Sequence, residues 1–361
     1  MDDRVHEKSE VRRFRVRMCT DGRSIYQERN KSTKGNCDMA EWNLEVEADK
    51  IKNGGRFGAK RVREDVFRSN CAVFERWAVP AEDGREVSLG DKDAFLAGTK
   101  VFASEQKPVE MPRVCEKTET GVVNADCALV AESMVKMGLR PAILNLASRF
   151  SPGGGYHDGT NAQEESLCQV STLSPSLYQY GDVKYKHIRE AGVPHRFVAY
   201  PLHQRFGGIY TPEVTFFRHG IRGVFAFRKP EEWIRCGIIT VPALSFRETN
   251  RYNNSELEFR ATDGGFTPEG EQIILDKIRT IYRAGLHNGH DALVLGAFGC
   301  GVFQLRPDRV AELFARVLRE DEFDGRFRLI VFAIKEGRPT ARKPVEEQGK
   351  FAPFYDTFGR W

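Results

Sequence analysis

The sequence predicts an α/β fold in which a sheet is covered by helices on both faces. Residues 142–147, 237–241, 291–296 and 329–334 are short apolar runs of the kind found in strands buried on both sides. Residues 127–137, 267–287 and 307–318 repeat apolar positions every three or four residues, the period of a helix with one buried stripe. These runs and helices alternate along the chain through turns rich in Gly and Pro, the order expected of a sheet with ligands at the carboxyl ends of its strands.

Taken in order, residues 1–60 form a variable extension, read as flexible or loosely packed because it is rich in Lys, Arg, Glu and Asn and ends in Lys52-Asn53-Gly54-Gly55-Arg56. Within it Arg12, Arg13, Arg15 and Arg17 alternate with Phe14 and Val16, which suits an edge strand, a nuclear signal or a polyanion contact. One domain spans 61–361. It begins with a helical pattern from Arg61 to Trp77, followed by a polar, turn-rich stretch to about residue 110. Val122 to Asp126 reads as a strand end entering a helix that Gly138 stops, and residues 142–147 as a buried strand.

A loop from 148 to 160 leads to a helix opened by Asn161, with Leu167, Val170 and Leu173 on one face. Residues 197–200, 214–217 and 237–241 read as strands. Thr267-Pro268 starts a helix whose Ile274, Ile278, Ile281 and Tyr282 share a stripe, and which stops near Asn288-Gly289. Then come the strand 291–296, a loop 297–304, and a helix from Pro307 with Val310, Leu313, Phe314, Val317 and Leu318 aligned. The strand 329–334 precedes a polar tail, and no internal repeat is visible.

The 361 residues carry 55 basic and 51 acidic side chains, a net charge of +4 with 40% hydrophobic content, so a buried core is expected and a single-signed surface is not. A polyanionic substrate is compatible with that balance, and no direct nucleic-acid binding is predicted. The eight cysteines show no C-x-x-C pair, so neither a zinc site nor a disulfide framework is expected, and a reducing cytosol or nucleus fits. Neither an apolar leader nor an uncharged run of about 20 residues occurs, so secretion and membrane insertion are not expected.

The chemistry concentrates where Gly153-Gly154-Gly155 is followed, after a seven-residue spacer, by Gln163-Glu164-Glu165. Three glycines let backbone N–H groups converge without Cβ interference, and this loop lies between a strand and a helix N-terminus, the recurring geometry for phosphate. With Asn161 as N-cap, Glu164 falls at the third helical position and reaches back to the cap amide. Glu165 then has no capping duty and points about 100 degrees around the helix, which makes it the candidate general acid/base. A helix N-terminus lowers a carboxyl pKa, so a bound diphosphate and a closed site must oppose the dipole.

Asn145, at the end of the preceding strand, is placed to orient a sugar hydroxyl or to satisfy loop backbone. The second loop, Gly296 to Phe303, again joins a strand to a helix, so two glycine loops could grip one diphosphate, with Phe303 over a ribose or base. Cys300 lacks a paired His and is read as a small residue allowing close approach rather than as a nucleophile.

These stretches (Asn145-Leu146-Ala147, Pro152 to Gly155, the spacer, Gln163 to Leu167, and Gly296 to Phe303) resemble the microbial-type poly(ADP-ribose) glycohydrolases. The similarity runs from about Val122 to Ile334. The resemblance implies a three-layer α/β/α, macrodomain-like mixed sheet that cleaves ribose–ribose O-glycosidic bonds of poly(ADP-ribose) and needs no metal or cofactor. Poly(ADP-ribose) or ADP-ribosylated protein is then the substrate, and ADP-ribose the product. By resemblance Glu165 is the catalytic acid/base and Glu164 the ribose-orienting glutamate. Asn145 and Gln163 contact substrate, Gly153, Gly154 and Gly155 form the diphosphate loop, and Gly299, Cys300, Gly301, Val302 and Phe303 line the other side.

The chain departs from its relatives at Cys168-Gln169, where a basic residue is expected. The adenine-stacking position falls on Phe332 or Ile334, and the insertion between Asn250 and Phe266 carries no assignable function. A mono-ADP-ribosyl hydrolase, a non-catalytic ADP-ribose reader and a fold relative with another nucleoside-diphosphate ligand are the competing readings, of which a reader has no need of the glutamate pair.

Overall fold

The structure, a computed structural model, describes residues 42–248, 256–336 and 349–361. The arginine cluster at 12–17 lies outside the described residues, as do residues 251–255 of the insertion after Asn250. The chain runs α1 (Leu44–Arg76), β1 (Ala78–Pro80), β2 (Glu86–Ser88), α2 (Lys92–Ala97), β3 (Lys100–Phe102), β4 (Glu119–Val123), α3 (Cys127–Lys136) and β5 (Pro141–Leu146). It continues through α4 (Gln163–Val170), α5 (Leu173–Tyr178), α6 (Lys186–Glu190), β6 (Gly208–Phe216), β7 (Ile234–Val241) and α7 (Pro268–His287). Last come β8 (Ala292–Leu295), α8 (Pro307–Leu318), β9 (Leu329–Ala333) and α9 (Phe351–Phe358).

Seven strands form one mixed sheet in the order β3-β6-β7-β5-β8-β9-β4. From β7 to β4 the neighbours are parallel, while β6 runs antiparallel to both β3 and β7. Alternation along each strand divides the core. Ile143, Val294 and Val331 pack with Val62, Phe67, Met134 and Leu167 from α1, α3 and α4. Leu144, Leu293, Leu295, Ile330 and Phe332 pack with Ile274, Ile278, Phe314 and Phe354 from α7, α8 and α9. Burial on both faces explains the unbroken apolar runs and makes three layers, α/β/α.

Local chemistry sets several helix ends. Asp126 accepts from the Ala128 N–H at 3.0 Å to start α3, and Gly138, at φ 76°, follows its last turn. Thr267 caps α7 by accepting from Gly270 N–H at 3.2 Å, with Pro268 in the first turn.

Four expectations change. The boundary drawn at residue 60 falls inside α1, which Asn43 caps at Val46 and which folds back at Gly55 (φ 52°, ψ −134°), so that Lys50 reaches Asp65 at 2.8 Å. Trp42 is held as well, donating its indole N–H to the Val224 carbonyl at 2.8 Å. The stretch 78–102 holds the β1–β2 pair, α2 and the edge strand β3. Residues 197–200 form no strand: Arg196 and Ala199 donate to the carbonyls of Gln179 and Tyr180, which leaves the segment clipped along the end of α5.

The tail, finally, ends in the aromatic helix α9. Its Phe354 and Phe358 cover Phe332 with ring centroids 5.1 and 4.4 Å apart. Phe332 and Ile334 are therefore core residues, which removes both as adenine-stacking candidates.

Candidate active site

β5 and β8 are parallel neighbours, so the loops that leave their carboxyl ends emerge side by side. Leu146, the last residue of β5, touches the position of Gly296, the first of the second loop. The two glycine bends therefore share one end of the sheet.

The helix after the first loop starts one residue later than the sequence suggests. Ala162 is the N-cap of α4, which puts Glu165 rather than Glu164 at the third helical position. Glu165 Oε2 accepts from the Ala162 N–H at 2.9 Å, and its Oε1 accepts from the Gly155 N–H at 2.9 Å. The capping argument that separated the two glutamates is thus reversed: Glu165 caps the helix, and the same carboxylate fastens the glycine loop.

Glu164 turns the other way, accepting from Ser148 N–H at 2.7 Å and from Asn145 Nδ2 at 3.3 Å. Both glutamates are nearly sealed from solvent, at 3% and 6% exposure. Burial, with the adjacent Glu165 carboxylate adding to it, pushes Glu164 well above the usual carboxyl range.

The first loop's amides are largely spent on these contacts. Gly154 N–H bonds Ser151 O, and Gly155 N–H bonds Glu165. A Cβ at Gly154, whose φ is 57°, would collide with Glu165 Oε1 and lie 3.1 Å from Glu164 Oε2. Holding the carboxylate pair is therefore the visible work of Gly153, Gly154 and Gly155.

In the second loop the N–H groups of Gly301, Val302 and Phe303 engage no acceptor among the described residues. Gly301 and Val302 are exposed, and Phe303 is half-buried, with its carbonyl accepting from Phe246 N–H at 2.9 Å. Consecutive open amides of this kind are available to an anion. Gly299, at φ 72°, packs against Leu305 and Ala243. Burial pushes the Cys300 thiol up to about 12, which removes the thiolate a nucleophile needs.

Asn145 is fully buried, donating to Glu164 and, at 3.2 Å, to Thr240 Oγ1, while its Oδ1 has no partner among the described residues. Gln163, expected to contact substrate, clips α4 to β5: its Oε1 accepts from Leu146 N–H and its Nε2 donates to Leu144 O, both at 2.8 Å, and to Cys127 Sγ at 3.4 Å, so both of its donors are used within the protein.

Residues not singled out in the sequence complete the site. Thr240 faces Asn145 across the β5–β7 register, and its one signal was a polar residue inside an apolar strand run. Tyr178 packs on Gly153, 3.4 Å from a Cβ there, and its hydroxyl, like that of Tyr200, is buried without a partner among the described residues. From α1, Asn70 donates at 2.7 Å to the Tyr156 hydroxyl and accepts at 2.7 Å from Arg218 Nε, bracing the glycine loop from behind. Nothing local marks these long-range partners.

Among the described residues no group of three or more potential metal ligands occurs, and no helix is long and apolar enough to cross a membrane. The family described as microbial-type PARG, catalytic domain, where PARG denotes poly(ADP-ribose) glycohydrolase, matches residues 68–219. Among solved structures the chain is similar to the poly(ADP-ribose) glycohydrolase of Thermomonospora curvata, at 28% identity and TM-score 0.61, covering 82% of this chain and 99% of that one.

The same enzyme bound to the inhibitor ADP-HPD matches at 29% identity and TM-score 0.59, covering 81% and 98%. The poly(ADP-ribose) glycohydrolase of Deinococcus radiodurans in complex with ADP-ribose matches at 25% identity and TM-score 0.54, covering 75% and 98%. A comparison with curated proteins found no match.

Proposed function

From the chain's similarity to the microbial-type poly(ADP-ribose) glycohydrolases, we infer that it hydrolyses the ribose–ribose bonds of poly(ADP-ribose) with Glu165 as general acid/base. The observation that carries the assignment is the double role of that carboxylate. It is buried, and it is pinned by an amide of the very loop that flanks the substrate end of the sheet.

The diphosphate of the unit being cleaved rests on the open amides of Gly301, Val302 and Phe303. Glu165 gives its proton to the leaving ribose oxygen, the neighbouring diphosphate stabilises the oxocarbenium-like carbon, and Glu165 then takes a proton from the attacking water. One carboxylate serves both half-steps.

Glu164 and Asn145 orient the ribose, whose hydroxyls meet the unpartnered Asn145 Oδ1. ADP-ribosylated protein carrying polymer is the substrate, and ADP-ribose the product. Cys71, Cys115, Cys127, Cys168, Cys236 and Cys300 are free thiols, which supports a cytosolic or nuclear setting.

The test is incubation with automodified polymer and identification of the soluble product, with Glu165→Gln as control. Released ADP-ribose, abolished in the variant, is the expected result. Polymer binding without turnover would identify a reader instead, and release only from singly modified protein a mono-ADP-ribosyl hydrolase.

A further inference from the structure

The second limb of α1 lies along the glycine loop. Arg63 Nε donates to Gly159 O at 2.7 Å, Phe67 meets the Tyr156 ring edge-to-face at 5.2 Å, and Gly159 sits so close that a Cβ there would lie 2.5 Å from Lys60 O and 3.0 Å from Glu64 Cγ. Phe57, Lys60 and Glu64 follow i, i+3, i+7 spacing and so share one stripe of the helix. Phe57 therefore stands about 5 Å beyond Lys60 along the axis, past the end of the glycine loop. It is 79% exposed, the most exposed large apolar side chain among the described residues.

The charges around it are one-sided. Lys52, Arg56 and Arg61 are exposed and form no ion pair among the described residues, while the nearby acids Glu64 and Asp49 are engaged with Lys60 and Asn53. An exposed ring with unpaired cations is the arrangement that holds single-stranded nucleotide polymers, by base stacking and phosphate neutralisation. The tip also precedes residue 68, where the family match begins.

We propose that the tip of the α1 hairpin is a second binding site for poly(ADP-ribose), in which the adenine of a unit next to the one in the cleft stacks on Phe57 and its diphosphate lies among Lys52, Arg56 and Arg61. This rests on the glycohydrolase reading. Its consequence is a preference for polymer over a single unit, obtained without any change at Glu165.

The experiment compares KM on long polymer with Kd for monomeric ADP-ribose in wild type, Phe57→Ala, Phe57→Trp and Lys52→Ala/Arg56→Ala/Arg61→Ala. Phe57→Ala and the triple variant are expected to raise polymer KM about ten-fold, on the scale of one lost stacked base, while leaving monomer Kd unchanged. Phe57→Trp is expected to restore polymer KM. Equal polymer KM in wild type and Phe57→Ala overturns the proposal. A fall in melting temperature or a change of oligomeric state in Phe57→Ala with polymer KM unchanged also overturns it, assigning Phe57 to the protein's own chain or a second copy. Wild type that binds neither ligand overturns the glycohydrolase reading, and the second site with it.

Discussion

Replacing Gly154 by Ala tests whether the glycine loop exists to hold the glutamates. The added methyl meets Glu165 Oε1 well inside van der Waals contact, so the carboxylate must retreat by roughly 1 Å. That retreat breaks the 2.9 Å bond from Gly155 N–H, a hydrogen bond to a charged group worth about 1.5–3 kcal/mol. The φ of 57° adds about 1–2 kcal/mol of left-handed backbone strain for a residue with a Cβ. Stability should therefore fall by about 2.5–5 kcal/mol, and turnover by about 100-fold, the usual consequence of a 1 Å misplacement of a catalytic group.

Urea denaturation and ADP-ribose release from polymer read the two effects. Gly301→Ala is the control, because a Cβ there meets nothing within 4 Å, and its stability should stay within about 0.5 kcal/mol of wild type. A Gly154→Ala protein as stable as Gly301→Ala and as active as wild type would refute the reasoning.

Three further expectations follow from buried groups. Asn70→Leu deprives the fully buried Arg218 of its Nε acceptor and Tyr156 of a donor, and should cost about 3 kcal/mol in urea denaturation; a change below about 0.5 kcal/mol would contradict the brace. His187 stacks on His157 at 3.7 Å, and burial, with His157 adding to it, lowers its pKa to about 4. Since the unfolded imidazole titrates near 6.5, the unfolded chain binds a proton that the folded one refuses between those values, so stability falls as pH drops from about 6.5 to 4. His187→Phe should flatten that part of the curve, and an unchanged difference between pH 7.5 and pH 5 would count against it. Cys300→Ala should leave turnover within about two-fold, since a thiol pushed up to about 12 supplies no nucleophile; loss of activity would restore Cys300 as a reactant.

What could be read from the sequence was what local pattern encodes. The parallel strands announced themselves as apolar runs, and Asp126, Thr267 and Pro268 marked helix starts because capping is a short-range matter. The site failed to read out by one residue. Ala162 has no side-chain acceptor with which to cap, so Asn161 drew the prediction, and the capping duty was given to Glu164 instead of Glu165. Glycines misled at Gly54-Gly55, which looked like the end of an unstructured arm and is the bend between two packed limbs of α1.

Residues 197–200 have the composition of a strand but no neighbouring edge to pair with. In α9, Phe351, Phe354, Tyr355 and Phe358 have helical spacing, hidden by the polar stretch before them. Contacts such as Asn70 to Tyr156 join residues far apart in sequence, so no window along the chain contains them.

The central claim is that Glu165 moves protons rather than holding the ligand. Kd for ADP-ribose and turnover of polymer, measured on one preparation of Glu165→Gln, decide it. The account predicts a Kd within about three-fold of wild type and a turnover lower by at least about 10²-fold, the range of general acid/base catalysis. A variant that still turns over polymer at the wild-type rate, or one that loses ADP-ribose binding in proportion to its activity, would contradict it.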